Sequence, residues 1–177
     1  MAVKLLRAIR LDPSDTFVFA KPAEPDEWLV SGAFLFDAAA VEALDPKARV
    51  AFRSGFLGVR SFGFSTLASV SLATADDMDA AARDLAAGLM RVGAPDMDAA
   101  HAAAREELAF AASLADHPPG TLVAAHRAVE NGEIVERFRT LTPRPDMNRG
   151  GFRAFEFVED DEPGDNVRLS ELAETKP

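Results

Sequence analysis

The clearest alternation of apolar and polar positions in the chain lies between Phe62 and Leu72. On one side of this segment fall Phe64, Thr66, Ala68, Val70 and Leu72, and on the other fall Ser65, Leu67, Ser69 and Ser71. Side chains alternate between the two faces of a β-strand, so this period of two predicts a strand with one heavier apolar face.

A second strong signal is the Asn131-Gly132 pair, which lies between two alternating runs. Asn-Gly fits the two positive-φ positions of a type I′ turn, so it predicts a β-hairpin with a fixed register. Counting outward from the turn pairs Val129 with Ile134, Ala128 with Val135, Arg127 with Glu136, His126 with Arg137, and Ala125 with Phe138.

Four further segments carry strand signals: residues 5–11, 16–20, 27–36 and 152–158. Asp12-Pro13-Ser14-Asp15 predicts a turn that joins the first two as a hairpin. In the third, Gly32 interrupts an apolar face, which is typical of a bulge or of close packing.

Helical signals occupy the middle of the chain. Asp37 and Asp45 are each placed to cap a helix, the second with Pro46 at its first position and Gly55 at its end. Thr74 opens an apolar period of 3.6 that runs to Gly93, and Asp96 opens an alanine-rich helix that stops before Pro118.

This order of elements lacks the strict strand–helix alternation of a doubly wound parallel sheet. We therefore predict an α+β fold, with a mostly antiparallel sheet of about seven strands and three or four helices packed on one face. A single domain is expected over residues 1–160. Residues 161–177 follow an acidic run and are expected to form a flexible acidic tail.

Composition excludes several functional classes. The chain has 177 residues, a net charge of −10 and no cysteine, which excludes disulfides, thiolate metal sites and cysteine nucleophiles. A protein this acidic, with no basic run, is not expected to bind nucleic acid. Because there is neither a long apolar span nor a secretory signal, we expect no membrane partner and a cytoplasmic location.

The most distinctive candidate for chemistry is residues 51–66, called here the glycine-rich hub. It contains Gly55 and Gly58, whose loop amides could hold an anion, and it is flanked by arginines that could add charge-assisted hydrogen bonds. The candidate ligand-binding residues are Arg49, Arg53, Ser54, Gly55, Gly58 and Arg60. Neutralisation of these arginines by nearby carboxylates, such as Glu42 and Asp45, is the competing interpretation.

The three histidines offer weaker candidates. His126 lies opposite Arg137 in the predicted hairpin, where the arginine charge would favour a neutral imidazole that could act as a base. His117 lies at a helix end, where capping is the more common role. No two histidines have the spacing of a metal pair, and no nucleotide motif occurs, so neither a metal nor a cofactor is predicted.

Four segments of the chain, residues 5–15, 52–58, 107–118 and 130–141, resemble a family of uncharacterised proteins from alphaproteobacteria and their relatives. The resemblance spans nearly the whole chain, but it implies no assigned activity or catalytic residue. The resemblance also implies genes that tend to lie near those of biotin or lipoate ligase-like proteins and of components of molybdenum-dependent formate dehydrogenase. The resemblance thus implies an accessory role in the maturation of a cofactor or a molybdoenzyme.

Two functional hypotheses follow. The first is a non-catalytic cytoplasmic accessory protein that binds a protein partner or a second copy of itself, the latter through the alanine-rich helix or a sheet edge. The second is a small enzyme, or a binder, that acts on an anionic metabolite through Arg53 and Arg60 of the hub.

Overall fold

The computed structural model describes residues 2–9 and 15–141, which form a seven-stranded, fully antiparallel sheet with helices. The strands are β1 (Val3–Ala8), β2 (Trp28–Val30), β3 (Phe56–Gly58), β4 (Phe64–Ser65), β5 (Leu67–Ala73), β6 (Leu122–Glu130) and β7 (Glu133–Leu141). Their order across the sheet is β4-β3-β2-β1-β5-β6-β7. The predicted α+β class and the antiparallel sheet are confirmed.

The α-helices are α1 (Asp15–Val18), α2 (Pro46–Ser54), α3 (Ala75–Arg91) and α4 (Met97–Leu114), with 3-10 helices at Ala33–Leu35 and Ala38–Ala43. The predicted caps are present. Thr74 and Asp77 form a reciprocal capping box at the start of α3, and the carboxylates of Asp45 and Asp96 accept from backbone amides of α2 and α4. The 3-10 helix after Asp37 is capped in the same way.

The sheet is buried on both faces. Leu5 and Leu6 are neighbours on β1, so they point to opposite faces, and both are fully buried. Leu5 belongs to a core cluster with the apolar sides of α3 and α4, including Leu85 and Leu108. Leu6 belongs to a second cluster, with Leu29, Phe56, Ala68, Val70, Val123, Ala125 and Ala115.

The second cluster forms because the sheet curls. Phe56 on β3 and Phe138 on β7 lie five strand positions apart, which would be about 24 Å in a flat sheet. Their ring centroids are nevertheless only 6.2 Å apart. The two ends of the sheet therefore approach each other across one face, and polar side chains at those ends can meet.

The β6–β7 hairpin has the register that Asn131-Gly132 predicts, including the Arg127–Glu136 and His126–Arg137 pairs. Both turn residues have positive φ, 52° and 78°. Gly32, predicted to mark a bulge or close packing, has φ 79°, and a Cβ added there would lie 2.6 Å from Leu57 Cβ. The left-handed φ and the close packing against β3 both require glycine at this position.

Other sequence predictions were wrong. The predicted strand 16–20 is instead the short helix α1, because β2 and β5 occupy both sides of β1 and leave no place for a hairpin partner. The predicted strand that starts at Phe62 is split into β4, which pairs with β3, and β5, which pairs with β1. The turn at residues 12–15, the strand 152–158 and the acidic tail lie wholly or largely outside the described residues.

Within the described ranges, no helix has the length and apolar character needed to cross a bilayer.

Candidate functional site

The backbone amides of the glycine-rich hub do hold an anion, and that anion is a carboxylate of the protein itself. Glu27 Oε1 accepts hydrogen bonds from the amides of Arg60 at 3.1 Å and Ser61 at 3.0 Å. Its Oε2 accepts from the amide of Glu24 at 2.6 Å. The Glu27 residue is only 5% exposed, so the loop amides neutralise a buried charge.

Gly58 makes room for this carboxylate. A Cβ added at Gly58 would lie 2.3 Å from Glu27 Oε1 and 2.4 Å from its carboxyl carbon. Glycine is therefore required here for a close approach between strand backbone and carboxylate, and not for an unusual φ. The sequence pointed to the loop amides around Gly55 and Gly58, whereas the hub amides that hold the anion belong to Arg60 and Ser61. It gave no sign that the anion would come from Glu27.

The predicted hub arginines have separate partners. Arg60 forms an exposed ion pair with Glu24 at 2.5 Å, and this hydrogen bond raises the pKa of the guanidinium above its ordinary value. Arg49 Nη2 donates to the carbonyls of Glu42 at 3.0 Å and Leu44 at 3.3 Å. Arg53 is exposed on α2. The arginines thus act at different places along the chain.

Ser54 and Gly55 belong to the end of α2. The Ser54 hydroxyl donates back to the carbonyl of Val50 at 3.2 Å, and the Gly55 amide donates to the carbonyl of Ala51 at 2.9 Å. The helix C-terminus itself carries free carbonyl groups, which attract a cation and not an anion. The residue that meets these carbonyls is Arg127.

Arg127, on β6, is the largest fully buried side chain among the described residues, with 1% of its surface exposed. Its Nη1 donates to the carbonyls of Phe52 at 3.0 Å and Gly55 at 2.7 Å, and its Nη2 donates to the carbonyl of Ser31. Nε donates to Glu136 at 2.8 Å. One guanidinium therefore caps α2 and joins it to β2, β6 and β7.

Carboxylates surround this guanidinium. Glu136 Oε2 also accepts from the Ser31 hydroxyl at 2.5 Å, which leaves that serine engaged and buried. Burial lowers the pKa of Arg127, whereas Glu136 opposes that shift. Partial burial raises the pKa of Glu107 on α4, and the negative charge of Glu136 adds to this effect.

Sequence reasoning found only part of this cluster. The hairpin register predicted that Arg127 and Glu136 would face each other, but not that the arginine would be buried. Glu107 on α4 is half-buried near the pair, which no pattern in the sequence indicates. The missing information is the curl of the sheet, which brings α2 and α4 close to β6 and β7.

The histidine candidates lie apart from these groups. His126 is exposed on β6 and lies opposite Arg137, as the register required. Arg137 forms an ion pair with Glu130 at 2.8 Å, which raises the pKa of the arginine and lowers that of the glutamate. The backbone carbonyl of His117 accepts from Lys4 Nζ at 3.0 Å.

Across residues 2–9 and 15–141, no group of three or more histidine and carboxylate side chains is placed to hold a metal ion.

Comparison with known proteins places the chain in a family. Residues 2–152 match a family described as a family of unknown function (DUF6505), and the match covers most of the 177 residues. The chain belongs to this family. No curated protein and no solved structure shows a significant match. Membership in DUF6505 brings no activity and no site residue with it, so function has to be argued from the geometry.

Proposed function

We propose that this protein is a non-catalytic accessory protein that acts in the cytoplasm by binding a protein partner. The observation that carries the proposal is the internal neutralisation of its most conspicuous polar groups. Glu27 fills the amide cradle of the hub, and the carbonyls of α2 together with Glu136 saturate Arg127. These groups stabilise the fold, and they leave little reactive chemistry at the places that the sequence marked.

The surface that we assign to the partner is the tip of the α3–α4 helical hairpin, formed by Met90, Val92 and Met97. These three side chains are 37%, 53% and 47% exposed, and they lie within eight residues of one another. Exposed apolar side chains grouped in this way mark protein interaction surfaces more often than isolated ones do. Flexible methionines also adapt well to a partner's surface.

The hub alternative has less support. An anionic metabolite at the hub would have to displace Glu27 from the amides of Arg60 and Ser61, or Glu24 from the Arg60 side chain. Displacement of Glu27 would leave a buried carboxylate without partners, which is costly. A partner protein requires no such exchange. Maturation of a cofactor or a molybdoenzyme, the role that the family resemblance implies, is the setting in which we would first seek it.

The experiment is purification of the tagged protein from its own cell under gentle conditions, followed by identification of co-purified proteins. Each candidate partner is then purified, and its Kd for the wild type is compared with its Kd for two variants. Val92→Glu places a charge on the tip. Leu72→Glu makes the same change at a side chain that is 57% exposed on β5.

We expect the Val92→Glu variant to bind at least about tenfold more weakly, because a charge would be buried in an apolar contact. The Leu72→Glu control should bind like the wild type. If the Val92→Glu variant binds with the same Kd as the wild type, the tip is not the contact surface. If no protein co-purifies in a stoichiometric amount, the partner-binding proposal is wrong.

A second copy of the chain is the other partner to consider. The alanine stripe of α4, which the sequence offered as a dimer surface, is buried inside the monomer, including Ala100, Ala104 and Ala111. That leaves a sheet edge, and within the described residues β7 pairs only with β6. Analytical sedimentation at several protein concentrations measures whether the chain self-associates. A monomer mass throughout the micromolar range would exclude self-association as the function.

A further inference from the structure

Arg7 on β1 differs from the other arginines in its surroundings. It is half-buried, and its guanidinium lies over the indole of Trp28, with 4.1 Å between the guanidinium carbon and the ring centroid. The register places Trp28 beside it on β2 and Ser69 beside it on β5. These three side chains therefore form a continuous row across one face of the central sheet.

The charge of Arg7 is not neutralised within the described residues. Its Nε atom is buried and has no hydrogen-bond partner, and none of the carboxylates in residues 2–9 and 15–141 lies within ion-pair distance of the side chain. Buried polar atoms without partners are rare in proteins, and each one requires an explanation. The stack on Trp28 is attractive, but it satisfies none of the guanidinium hydrogen-bond donors.

The acidic group on which the charge of Arg7 acts, Asp77, already accepts other hydrogen bonds. Asp77 lies close enough for the charge of Arg7 to contribute to the lowered pKa of its carboxyl group. The Oδ2 atom of Asp77, however, accepts hydrogen bonds from the amide and the hydroxyl of Thr74, both at 2.8 Å. The capping box of α3 therefore holds Asp77 away from an ion pair with Arg7.

Comparison with the remaining arginines strengthens this point. Arg53, Arg83 and Arg105 also have no ion pair among the described residues, but all three are exposed, so water can solvate them fully. Arg7 combines partial burial, an aromatic stack that fixes its plane, and donors without a partner. A guanidinium held in this way is pre-organised for a planar or tetrahedral oxyanion.

We propose that Arg7, Trp28 and Ser69 form a binding site for a small oxyanion, either a carboxylate or a phosphate group. The terminal nitrogens of Arg7 would donate two parallel hydrogen bonds to the ligand, and the hydroxyl of Ser69 would donate a third. Trp28 holds the guanidinium plane in place. This site is separate from the glycine-rich hub and from the tip, so it stands or falls independently of the proposed partner.

Tryptophan fluorescence provides a direct test, because Trp28 is the single tryptophan of the chain. Succinate and inorganic phosphate are titrated in separate arms into the full-length protein at constant ionic strength. We expect a saturable fluorescence change with a millimolar or lower midpoint in at least one arm. The arm that saturates at the lower concentration identifies the preferred oxyanion.

Two variants control the result. Arg7→Gln should lose the saturable change, whereas Arg105→Gln, which removes the same charge from an exposed position on α4, should keep it. Thermal melts of both variants without ligand show whether they are folded. Arg7→Lys keeps the charge without the planar fork, so it should bind at least about tenfold more weakly than the wild type while remaining folded.

The proposal is overturned if neither anion gives a saturable change in the wild type. It is also overturned if a folded Arg7→Gln or Arg7→Lys variant responds like the wild type. In either case Arg7 only extends its apolar stem over Trp28 and directs its charge to water.

Discussion

Arg127 and Arg7 each place a guanidinium against the same sheet, and the two regions treat that charge in opposite ways. Around Arg127 the curl of the sheet collects the carbonyls at the end of α2, the carbonyl of Ser31 and the carboxylate of Glu136. Around Arg7 the described residues supply an indole ring and leave Nε without a hydrogen-bond partner. A charge whose partners are all internal contributes to architecture, whereas a charge without partners remains available to a ligand.

The largest expected effect comes from removal of the satisfied charge. Arg127→Met should destabilise the protein by about 3–5 kcal/mol, because it leaves Glu136 partly buried beside Glu107 and removes the cap of α2. Chemical denaturation measures the loss. The double variant Arg127→Met, Glu136→Leu should recover a substantial part of it, since replacing a whole buried pair costs less than breaking it. A loss under about 1 kcal/mol in the single variant would mean that Arg127 is not structural.

Glu27 is a buried anion whose hydrogen-bond partners are internal, like those of Arg127. A substitution at Gly58 tests how firmly its carboxylate is held. Gly58→Ala should cost about 1–3 kcal/mol, because the new methyl group would collide with a carboxylate that three backbone amides hold in place. Gly120→Ala is a useful comparison. Its φ is 90° and nothing lies within 4 Å of the added Cβ, so only backbone strain of about 1 kcal/mol is expected.

Adding Glu27→Ala to Gly58→Ala distinguishes collision from a general effect on β3. The double variant should be less destabilised than the sum of the two single variants, since the smaller side chain removes the atoms that the methyl group meets. Strict additivity of the two losses would show that Gly58 is required for some other reason.

Much of this architecture is readable from the sequence, since local chemistry determines it. Asn131-Gly132 specifies the hairpin register, and Thr74 and Asp96 specify where α3 and α4 begin. The strands β3 and β4 have only three and two residues, too few for a period to show. They exist because they pair with each other and with β2, which is information that lies elsewhere in the chain.

The candidate sites also combine features that the local sequence predicts with features that depend on distant segments of the chain. The glycines of the hub drew attention to this loop, but the hub amides that hold an anion are those of Arg60 and Ser61, and not those of Gly55 and Gly58. The identity of its anion depends on Glu27, which lies 33 residues before Arg60 and meets it only in the fold. Likewise, no turn signal in the sequence predicts which residues lie beside Arg7. Its position between Trp28 and Ser69 requires the order of β2, β1 and β5 across the sheet.

A smaller effect is expected at the edge of the Arg127 cluster. The pKa of Glu107 is raised in the folded protein, so the folded state binds its proton more tightly than the unfolded state does. The ionised form is therefore destabilising above the folded pKa, and the penalty disappears as the pH falls below the unfolded value. Glu107→Gln should raise stability at pH 7 by about 0.5 kcal/mol, after allowance for solvent screening, and should have little effect below about pH 4.

Denaturation curves at the two pH values check this expectation. Glu106→Gln is the matched control, since it removes the same charge from an exposed neighbouring position on α4. A Glu107 variant that is less stable than the wild type at pH 7 would show that this carboxylate has a favourable partner in Arg127.

The effect that most sharpens the contrast is that of Arg7→Gln on stability, which should also be small. Arg127 gives up several hydrogen bonds and an ion pair on substitution, whereas Arg7 gives up its stack on Trp28, the packing of its stem and a longer-range attraction to Asp77. Without ligand, the change in the free energy of unfolding should be about 1 kcal/mol or less. Raising the salt concentration should change the stability difference between the wild type and the variant only slightly, because the charge of Arg7 acts on Asp77 without forming an ion pair. A loss comparable to that of Arg127→Met would mean that Arg7 has a strong internal partner, and the oxyanion site would then have no free donor to offer.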